Sequence, residues 1–457
     1  MKTSAIKSKL FGLIWSLLVL LPGFTQAQPA LDDYVREGLK SNLVLQQKSI
    51  SHQQAQQALQ IARSYFLPSV NLLADYTSGE GGRSIAIPVG DLLNPVYASL
   101  NQMTQSDAFP QIENVEQNFF PKNFYDTRVR TSFPLVNTDI HLNRTIRGQQ
   151  VMLKQYELEA YKRQLVAEIK TAYFKLLSAT SAVKIYESAV ALVNKNVEIN
   201  ESLLRHGKSL PANVLRSKSE AERVKAELVS AQNNVINARK YFNFLLNRDL
   251  DNEVSIDDST IENMSISADG ASADVQTREE LLLLNTVREI NQSSLRMSRL
   301  SRLPKVNAFL DVGSQANDWK VNNDSKYYLL GVQLSMPLFQ GFRNNISIRQ
   351  NNLEIKKTEY DLANTRKQLE LSASIAKNEV AMTRQNFSAS QEQLKSAQSY
   401  FNLIEKGYRE GVNSLIEFLD ARNQLTSSQL QQNVRRLEML TADARLERET
   451  SAYIFEN

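Results

Sequence analysis

Mainly apolar residues recur at alternating steps of four and three positions over long stretches of the chain. Two examples are the series Ile185, Ala189, Leu192, Asn196, Ile199 and Leu203 and the series Leu430, Val434, Leu437, Thr441 and Ala444. Seams of this kind pack against partner helices in coiled-coil fashion. Only 15 Gly and 11 Pro occur in 457 residues, so long uninterrupted helices are expected. The pattern predicts helices over about 31–63, 139–205, 212–246, 278–300, 344–406 and 414–453.

Four shorter segments between these helices alternate apolar and polar residues and therefore predict β-strands. The segments are 69–77, 125–135, 305–314 and 327–338. Each has one apolar face, and the polar positions on the opposite face include Asn71, Asp75, Arg128, Arg130, Asn307 and Asp311. Aromatic residues near the segment ends would form interfacial girdles if the strands crossed a membrane. These residues are Tyr65, Phe66, Tyr327, Phe339 and Phe342.

Segments of this length with one apolar face meet the requirements of a transmembrane barrel, and their polar positions would then line the lumen. The same alternation fits a small soluble sheet whose polar face is solvated. Four strands cannot close a membrane barrel alone, because such barrels begin at about eight strands. A spanning sheet would therefore need neighbouring chains to cover its edges, and three chains supplying about twelve strands are the simplest closure.

The chain resembles itself, which indicates an internal duplication. Pro68 and Pro304 lie in matching segments, as do Pro134 and Pro337. Gly207, Asn213 and Leu215 match Gly407, Asn413 and Leu415 at an offset of 200 residues. The predicted organisation is a first repeat at 28–248, an acidic connector at 249–276 and a second repeat at 277–457. Helical hairpins occupy 139–247 and 344–453, and a loop insertion at 78–124 distinguishes the first repeat.

The N-terminus and the composition limit the classes of function that the chain can have. Residues 1–27 have the cationic start, short apolar run and small residues of a secretory signal peptide. The net charge is +4, and +1 without Lys2, Lys7 and Lys9, which argues against nucleic-acid binding. The chain has no Cys, its three His are scattered, and no catalytic or phosphate-binding motif occurs. We therefore expect no enzymatic activity, no metal site and no cofactor.

Several motifs occur in a characteristic order on this duplicated framework. They are Phe66-Leu67-Pro68-Ser69-Val70, Ser132-Phe133-Pro134-Leu135, Leu303-Pro304-Lys305-Val306, Ser335-Met336-Pro337-Leu338-Phe339-Gln340-Gly341-Phe342-Arg343 and the segment 406–421. In these motifs the mature chain resembles the TolC-like outer-membrane efflux factors over nearly its whole length.

The resemblance implies a mainly α protein with transmembrane β-strands. Its duplicated helix-strand-strand-helix-helix protomer would form a homotrimer, with a twelve-stranded barrel in outer-membrane lipid and an α-helical barrel in the periplasm. Such proteins are passive exit ducts of drug efflux pumps or type I secretion systems. Their expected partners are a periplasmic adaptor and an inner-membrane transporter of the RND, ABC or MFS type. The alternative is a secreted or periplasmic coiled-coil scaffold or adhesin without a pore.

The resemblance also assigns roles near the second helical break. It places Glu417 and Asp420 at the periplasmic entrance, where a trimer would gather six carboxylates into a cation-attracting ring. Taken alone, the two residues are equally consistent with solvated surface carboxylates. At the offset of 200 residues, the first repeat has Ser217 and Glu220 instead. The hairpin tips, which would dock the adaptor, are marked by Gly207, Gly407, Gly411, Asn213 and Asn413, although glycines also terminate ordinary helices.

Overall fold

The computed structural model describes residues 31–120, 122–256 and 277–455. The predicted signal peptide lies outside these residues, as does the 257–276 part of the predicted connector. The chain divides into two compact units. Within the described residues, the helical unit draws on 31–52, 153–256, 277–285 and 360–455, and the strand unit comprises 53–120, 122–152 and 286–359.

The described part of the chain is mainly helical. Its helices are α1 (Leu31–Ser41), α2 (Leu43–Ser64), α3 (Val89–Thr104), α4 (Thr138–Arg205), α5 (Pro211–Leu245), α6 (Glu279–Leu300), α7 (Arg343–Arg409) and α8 (Leu415–Thr450). Its strands are β1 (Ser69–Thr77), β2 (Ser84–Ile87), β3 (Val115–Asn118), β4 (Phe124–Val136), β5 (Lys305–Asn317) and β6 (Lys326–Ser335). The order α2, β1, β4, α4, α5 in the first half corresponds to α6, β5, β6, α7, α8 in the second.

A four-stranded antiparallel sheet organises the strand unit, with the order β1-β4-β5-β6. The two proline-containing strand ends differ. Pro134 is accommodated in β4 by a register shift between Pro134 and Val136, whereas β6 ends at Ser335, three residues before the predicted end. Pro337 explains the shorter strand, because proline has no backbone N–H to donate to the ladder.

The insertion between β1 and β4 is more ordered than a loop. It contains α3 and a two-stranded sheet in which β2 pairs with β3. Two asparagines of α3 hold the following segment by paired backbone hydrogen bonds. Asn94 donates to the Ile112 carbonyl and accepts from its N–H, both at 2.9 Å. Asn101 does the same with Phe109, at 2.8 and 3.0 Å. The prediction of a plain loop at 78–124 is therefore corrected.

The helical unit has an aromatic core where its helices pack. Tyr34, Tyr173, Phe174 and Phe242 are each at most 3% exposed. The predicted helix 31–63 is divided at Asn42, whose amide donates to the Leu245 carbonyl at 2.9 Å and whose Oδ1 accepts from the Leu45 N–H at 3.0 Å. Asn42 thus caps α2 while it ties this chain segment to the end of α5.

Candidate functional site

One face of the four-stranded sheet is apolar and exposed. The strand register places Leu72, Val129, Val312 and Tyr328 in a single row across the sheet. Their exposed fractions are 71%, 43%, 54% and 79%. Further exposed apolar residues on this face are Val70, Phe133, Leu310, Leu330, Val332 and Leu334. A continuous apolar surface of this kind marks contact with lipid or with another protein.

The opposite face carries an ion pair between neighbouring strands, and its carboxylate is buried. Arg130 of β4 stands opposite Asp311 of β5. Its Nε and Nη2 donate to the two carboxylate oxygens of Asp311 at 2.7 and 2.6 Å. The Asp311 side chain is only 2% exposed, and the Arg130 guanidinium lies 5.1 Å from the centroid of the Phe309 ring. This bidentate geometry gives a strong and directional ion pair.

Arg128 extends the charged cluster along the same face. It forms ion pairs with Asp75 at 3.4 Å and with Asp311 at 3.9 Å, and it also pairs with Asp126. The hydroxyl of Tyr327 donates to Asp126 at 2.8 Å. Four of the six predicted polar-face residues, Asp75, Arg128, Arg130 and Asp311, therefore form one connected network.

The two predicted asparagines occupy the same face beside this network. Asn71 stands opposite Arg130, and Asn307 stands opposite Pro134 and Gln333. Sequence reasoning missed Asp126, although its spacing of two from Arg128 places it on the polar face. Tyr327 was expected in an aromatic girdle, but it stands opposite Gly313, which pairs with Arg128. Its hydroxyl contacts the charged network instead.

The helical unit contains two hairpin tips with equivalent backbone geometry. Helix α4 ends at Arg205, Gly207 has φ +68, and α5 begins at Pro211. Likewise, α7 ends two residues before Gly411, which has φ +79, and α8 begins four residues after that glycine. The left-handed glycine and the next helix start both recur after 204 residues. The predicted pairing of Gly207 with Gly407 at an offset of 200 is therefore corrected.

Gly407 has a different role, because it lies within α7. A Cβ atom built on Gly407 would be 1.9 Å from the Asn413 Oδ1 atom, so this position needs glycine for close approach. The Gly407 carbonyl accepts from the N–H groups of Val412 and Asn413 at 2.8 and 3.1 Å. Asn213, by contrast, lies inside α5 and donates to the Ser209 hydroxyl at 3.1 Å. The two asparagines are thus not structurally equivalent.

Glu417 completes the cap at the start of α8. Its carboxylate accepts from the Ser414 N–H at 2.6 Å, and the Ser414 hydroxyl accepts from the Glu417 N–H at 3.3 Å. This reciprocal arrangement is a capping box. The backbone hydrogen bond from Ser414, with further bonds from the Ser414 and Asn413 side chains, lowers the pKa of Glu417. Asp420 lies three residues later on the same helix and is exposed.

The corrected offset changes the first-repeat equivalents of these two acids. Asn213 corresponds to Glu417, and Arg216 corresponds to Asp420. They replace the predicted pair Ser217 and Glu220. Burial supports this alignment, because Val214 and Phe418 are both buried at positions 204 residues apart. The two tips therefore differ in charge at these positions. The second tip has two acids, as the resemblance implies, whereas the first tip has a neutral Asn213 and a positively charged Arg216.

Glu220 has a different and unpredicted partner. It accepts a hydrogen bond from Arg422 of α8, whose side chain is only 1% exposed. Arg223 also donates to Glu220, at 2.6 and 3.1 Å, and to Asn423 at 2.9 Å. One carboxylate thus joins two guanidiniums across the α5 and α8 helices. The sequence contains a signal for the burial of Arg422, because this residue continues the helical spacing of the apolar residues Leu415, Phe418 and Leu425.

Burial and charge oppose each other in this cluster. Burial acts to raise the pKa of Glu220, but the hydrogen bond from Arg223 and the charge of Arg422 outweigh it and lower that pKa. For Arg422, burial is the dominant influence and lowers the pKa despite the attraction of Glu220. The Arg422 side chain consequently depends on Glu220 for compensation of a buried charge.

Comparison with known proteins finds one family and a consistent fold. A family model described as outer membrane efflux protein matches residues 35–248 and 278–450. Outer membrane protein TolC of Salmonella enteritidis is 20% identical over 425 residues, covering 90% of this chain and 80% of that protein. Alkaline protease secretion protein AprF of Pseudomonas aeruginosa is 19% identical over 304 residues, covering 65% of this chain and 63% of that protein.

Among solved structures, the Campylobacter jejuni CmeC outer membrane channel has a similar fold. The TM-score is 0.74 at 15% sequence identity, with 92% of this chain and 85% of that chain covered. These comparisons confirm the resemblance predicted from the ordered motifs. They also agree with the outer-membrane location expected for the exported chain.

Proposed function

Because this chain belongs to the outer membrane efflux protein family, we propose that it is an exit duct of a tripartite efflux pump or a type I secretion system. It conducts small molecules or proteins passively from the periplasm to the exterior. The observation that carries this proposal is the sheet with an exposed apolar face and a charged opposite face. A coiled-coil scaffold without a pore gives no reason for leaving ten large apolar residues of one sheet face exposed.

The proposed duct is a homotrimer. Strands β1 and β6 are the two edges of the four-stranded sheet. An open edge in lipid leaves backbone groups without partners, which costs several kcal/mol for each group. Pairing β1 of one protomer with β6 of its neighbour removes the edges, and three protomers supply about twelve strands, within the range of membrane barrels.

In this trimer the charged face lines the lumen. The residues proposed to face the pore are Asn71, Asp75, Arg128, Arg130, Asn307 and Asp311. Asp126 and Tyr327 join them through their contacts with Arg128 and with each other. Salt bridges between neighbouring strands compensate most of these charges, so the lumen remains polar without a large field of one sign. Such a wall suits solutes of varied chemistry.

The periplasmic end of the proposed duct is the region of the two hairpin tips. Asp420 and the carboxylate of Glu417 would form a cation-attracting ring at the entrance. The left-handed turns at Gly207 and Gly411, together with Gly407, Asn213 and Asn413, would present the tips to a periplasmic adaptor. An inner-membrane transporter of the RND, ABC or MFS type would complete the assembly.

Planar-bilayer recording of the purified mature protein tests the proposal, with oligomer mass measured in parallel. The expected results are discrete conductance steps that cations block and a mass of three chains. A protein that stays soluble and never inserts would contradict the duct and favour the scaffold. A monomer that still conducts would contradict the trimeric closure.

A further inference from the structure

An arginine-rich band borders the ends of the four sheet strands in the strand unit. The helical and connecting stretches 58–68, 137–150, 296–304 and 339–350 contain eight arginines, no lysine and one carboxylate. That carboxylate, Asp139, already pairs with Lys305 at the start of β5. Within the described residues, none of the eight arginines takes part in an ion pair. The band is therefore a zone of uncompensated positive charge.

A groove between α2 and α4 concentrates part of this charge. It has a volume of about 400 Å³ and is lined by Leu59, Arg63, His141, Arg144, Thr145 and Gly148. Arg63, His141 and Arg144 are all exposed. A Cβ atom built on Gly148 would meet nothing within 4 Å, so this wall of the groove is open. Two guanidiniums beside an apolar Leu59 suit a ligand with an anionic group and an apolar body.

The groove lies close to the strands that the proposed duct places in lipid. Arg63 precedes the first residue of β1 by six positions, and Arg144 follows the first residue of α4 by six. In α4 six helical residues span about 9 Å, and Arg63 lies one residue before the end of α2. Strands of about 9–11 residues, tilted by about 45°, cross the hydrocarbon core of a bilayer, and β1 has nine residues. The guanidiniums therefore fall at the depth of the lipid headgroups on the helical side of the membrane.

We propose that this groove binds the phosphate of an anionic phospholipid in the periplasmic leaflet of the outer membrane. The inference rests on the proposed duct, because the duct orients the strands across that membrane. Arg63 and Arg144 hold the phosphate oxygens, since the planar guanidinium matches phosphate geometry with two parallel donors. The exposed apolar sheet face that would meet the acyl chains begins at Val70, 65% exposed and seven residues after Arg63. An apolar surface this near along the chain favours a lipid over a free phosphate ion.

Native mass spectrometry of the purified full-length assembly tests this site. The protein is exchanged into mixed micelles of phosphatidylglycerol and phosphatidylcholine, and the retained lipids are counted. The wild type should retain phosphatidylglycerol preferentially. The double variant Arg63→Gln and Arg144→Gln should retain several-fold less phosphatidylglycerol. The variant Arg63→Lys with Arg144→Lys should retain an intermediate amount, because lysine keeps the positive charge but lacks the planar guanidinium. The matched control is Arg216→Gln with Arg366→Gln, two exposed arginines of the helical unit, which should retain the wild-type amount.

The outcomes separate this inference from the proposed duct. Equal phosphatidylglycerol retention in the wild type and the Arg63→Gln, Arg144→Gln variant would overturn the lipid site. Displacement of phosphatidylglycerol by excess inorganic phosphate would also overturn it, because the groove would then be a general anion site. Bilayer conductance of the same preparations is the independent readout. If the double variant conducts normally and loses phosphatidylglycerol, both the duct and the site are supported.

Discussion

Arg422 of α8 is buried against Glu220 of α5, and only 1% of the arginine side chain is exposed. Arg223 shares the same carboxylate but is half exposed. The two arginines therefore depend on Glu220 to different extents. Arg223 can be solvated without it, whereas the Arg422 guanidinium would remain buried and uncompensated. The Arg422 Nε atom already has no hydrogen-bond partner.

This dependence predicts asymmetric effects of removing either partner. Glu220→Ala should destabilise the α5 and α8 contact by about 3 kcal/mol, because it leaves a buried charge unpaired. Arg422→Met should cost less than about 1 kcal/mol, since Glu220 keeps Arg223 as its partner. Hydrogen exchange at neutral pH would show this as roughly hundredfold faster exchange near Glu220 in the first variant only. Adding Arg422→Met to Glu220→Ala should restore protection, and the absence of recovery would contradict the argument.

The capping carboxylate of Glu417 predicts a pH dependence at the start of α8. Its pKa in the folded chain lies below the ordinary value of 4.5. The cap therefore contributes stability above that ordinary value, and the contribution is lost as the pH falls through the lower folded-state pKa. Exchange protection of the first turn of α8 should decrease in this acidic range.

Glu417→Gln is the matched variant for this prediction, because glutamine can still accept from the Ser414 N–H but does not ionise. It should remove the pH dependence of protection in the first turn of α8 while the turn itself persists. Glu220 also has a lowered pKa, so the Glu417→Gln background separates the two contributions. An unchanged pH profile in this variant would assign the effect to another group.

Asp420 provides the sharper test of the proposed acidic ring, because Glu417 is also engaged in helix capping. Asp420→Asn should weaken the block of conductance by a trivalent cation about tenfold, equivalent to roughly 1.4 kcal/mol. Three carboxylates would be lost from one ring, which reduces the attraction for a multivalent ion. Asp361→Asn, at an exposed position of α7, is the control and should leave the block unchanged. Equal block in both variants would remove the acidic ring and leave the duct untouched.

The sheet was more predictable than the hairpin tips, for a physical reason. Alternation with a period of two follows directly from strand geometry, so the face shared by Arg130 and Asp311 could be inferred before their partners were known. At the tips, residue identity alone pairs Gly207 with Gly407. The conformational equivalent is Gly411, because positive φ rather than identity defines the turn.

Other features depended on contacts that leave no periodic signal. Asn94 and Asn101 order the insertion through bonds to backbone groups of Ile112 and Phe109, so the segment was predicted as a loop. Tyr327 was misassigned because the face of a strand-end residue depends on its register with the neighbouring strand. The Arg422 contact required two helices from different repeats to be brought together. A polar pair of this kind forms only when distant helices pack together, and the spacing of residues within one helix does not reveal its partner.

The Arg130 and Asp311 pair predicts how charge in the proposed lumen controls ion selectivity. Asp311→Asn removes one negative charge per protomer and leaves Arg130 without its bidentate carboxylate. The pore should become less cation-selective, because the charged network of Asp75, Asp126, Arg128, Arg130 and Asp311 loses its net negative charge and becomes neutral. The reversal potential under a salt gradient measures this shift. Arg130→Gln added to Asp311→Asn should return the selectivity towards the wild type, since Asp75 and Asp126 then stand against Arg128 alone and the net negative charge of the wild-type network is restored. Asp324→Asn, in the turn between β5 and β6 and outside the charged cluster, should have no effect. A trimer of Asp311→Asn with wild-type selectivity would mean that this face of the sheet does not line the conducting path.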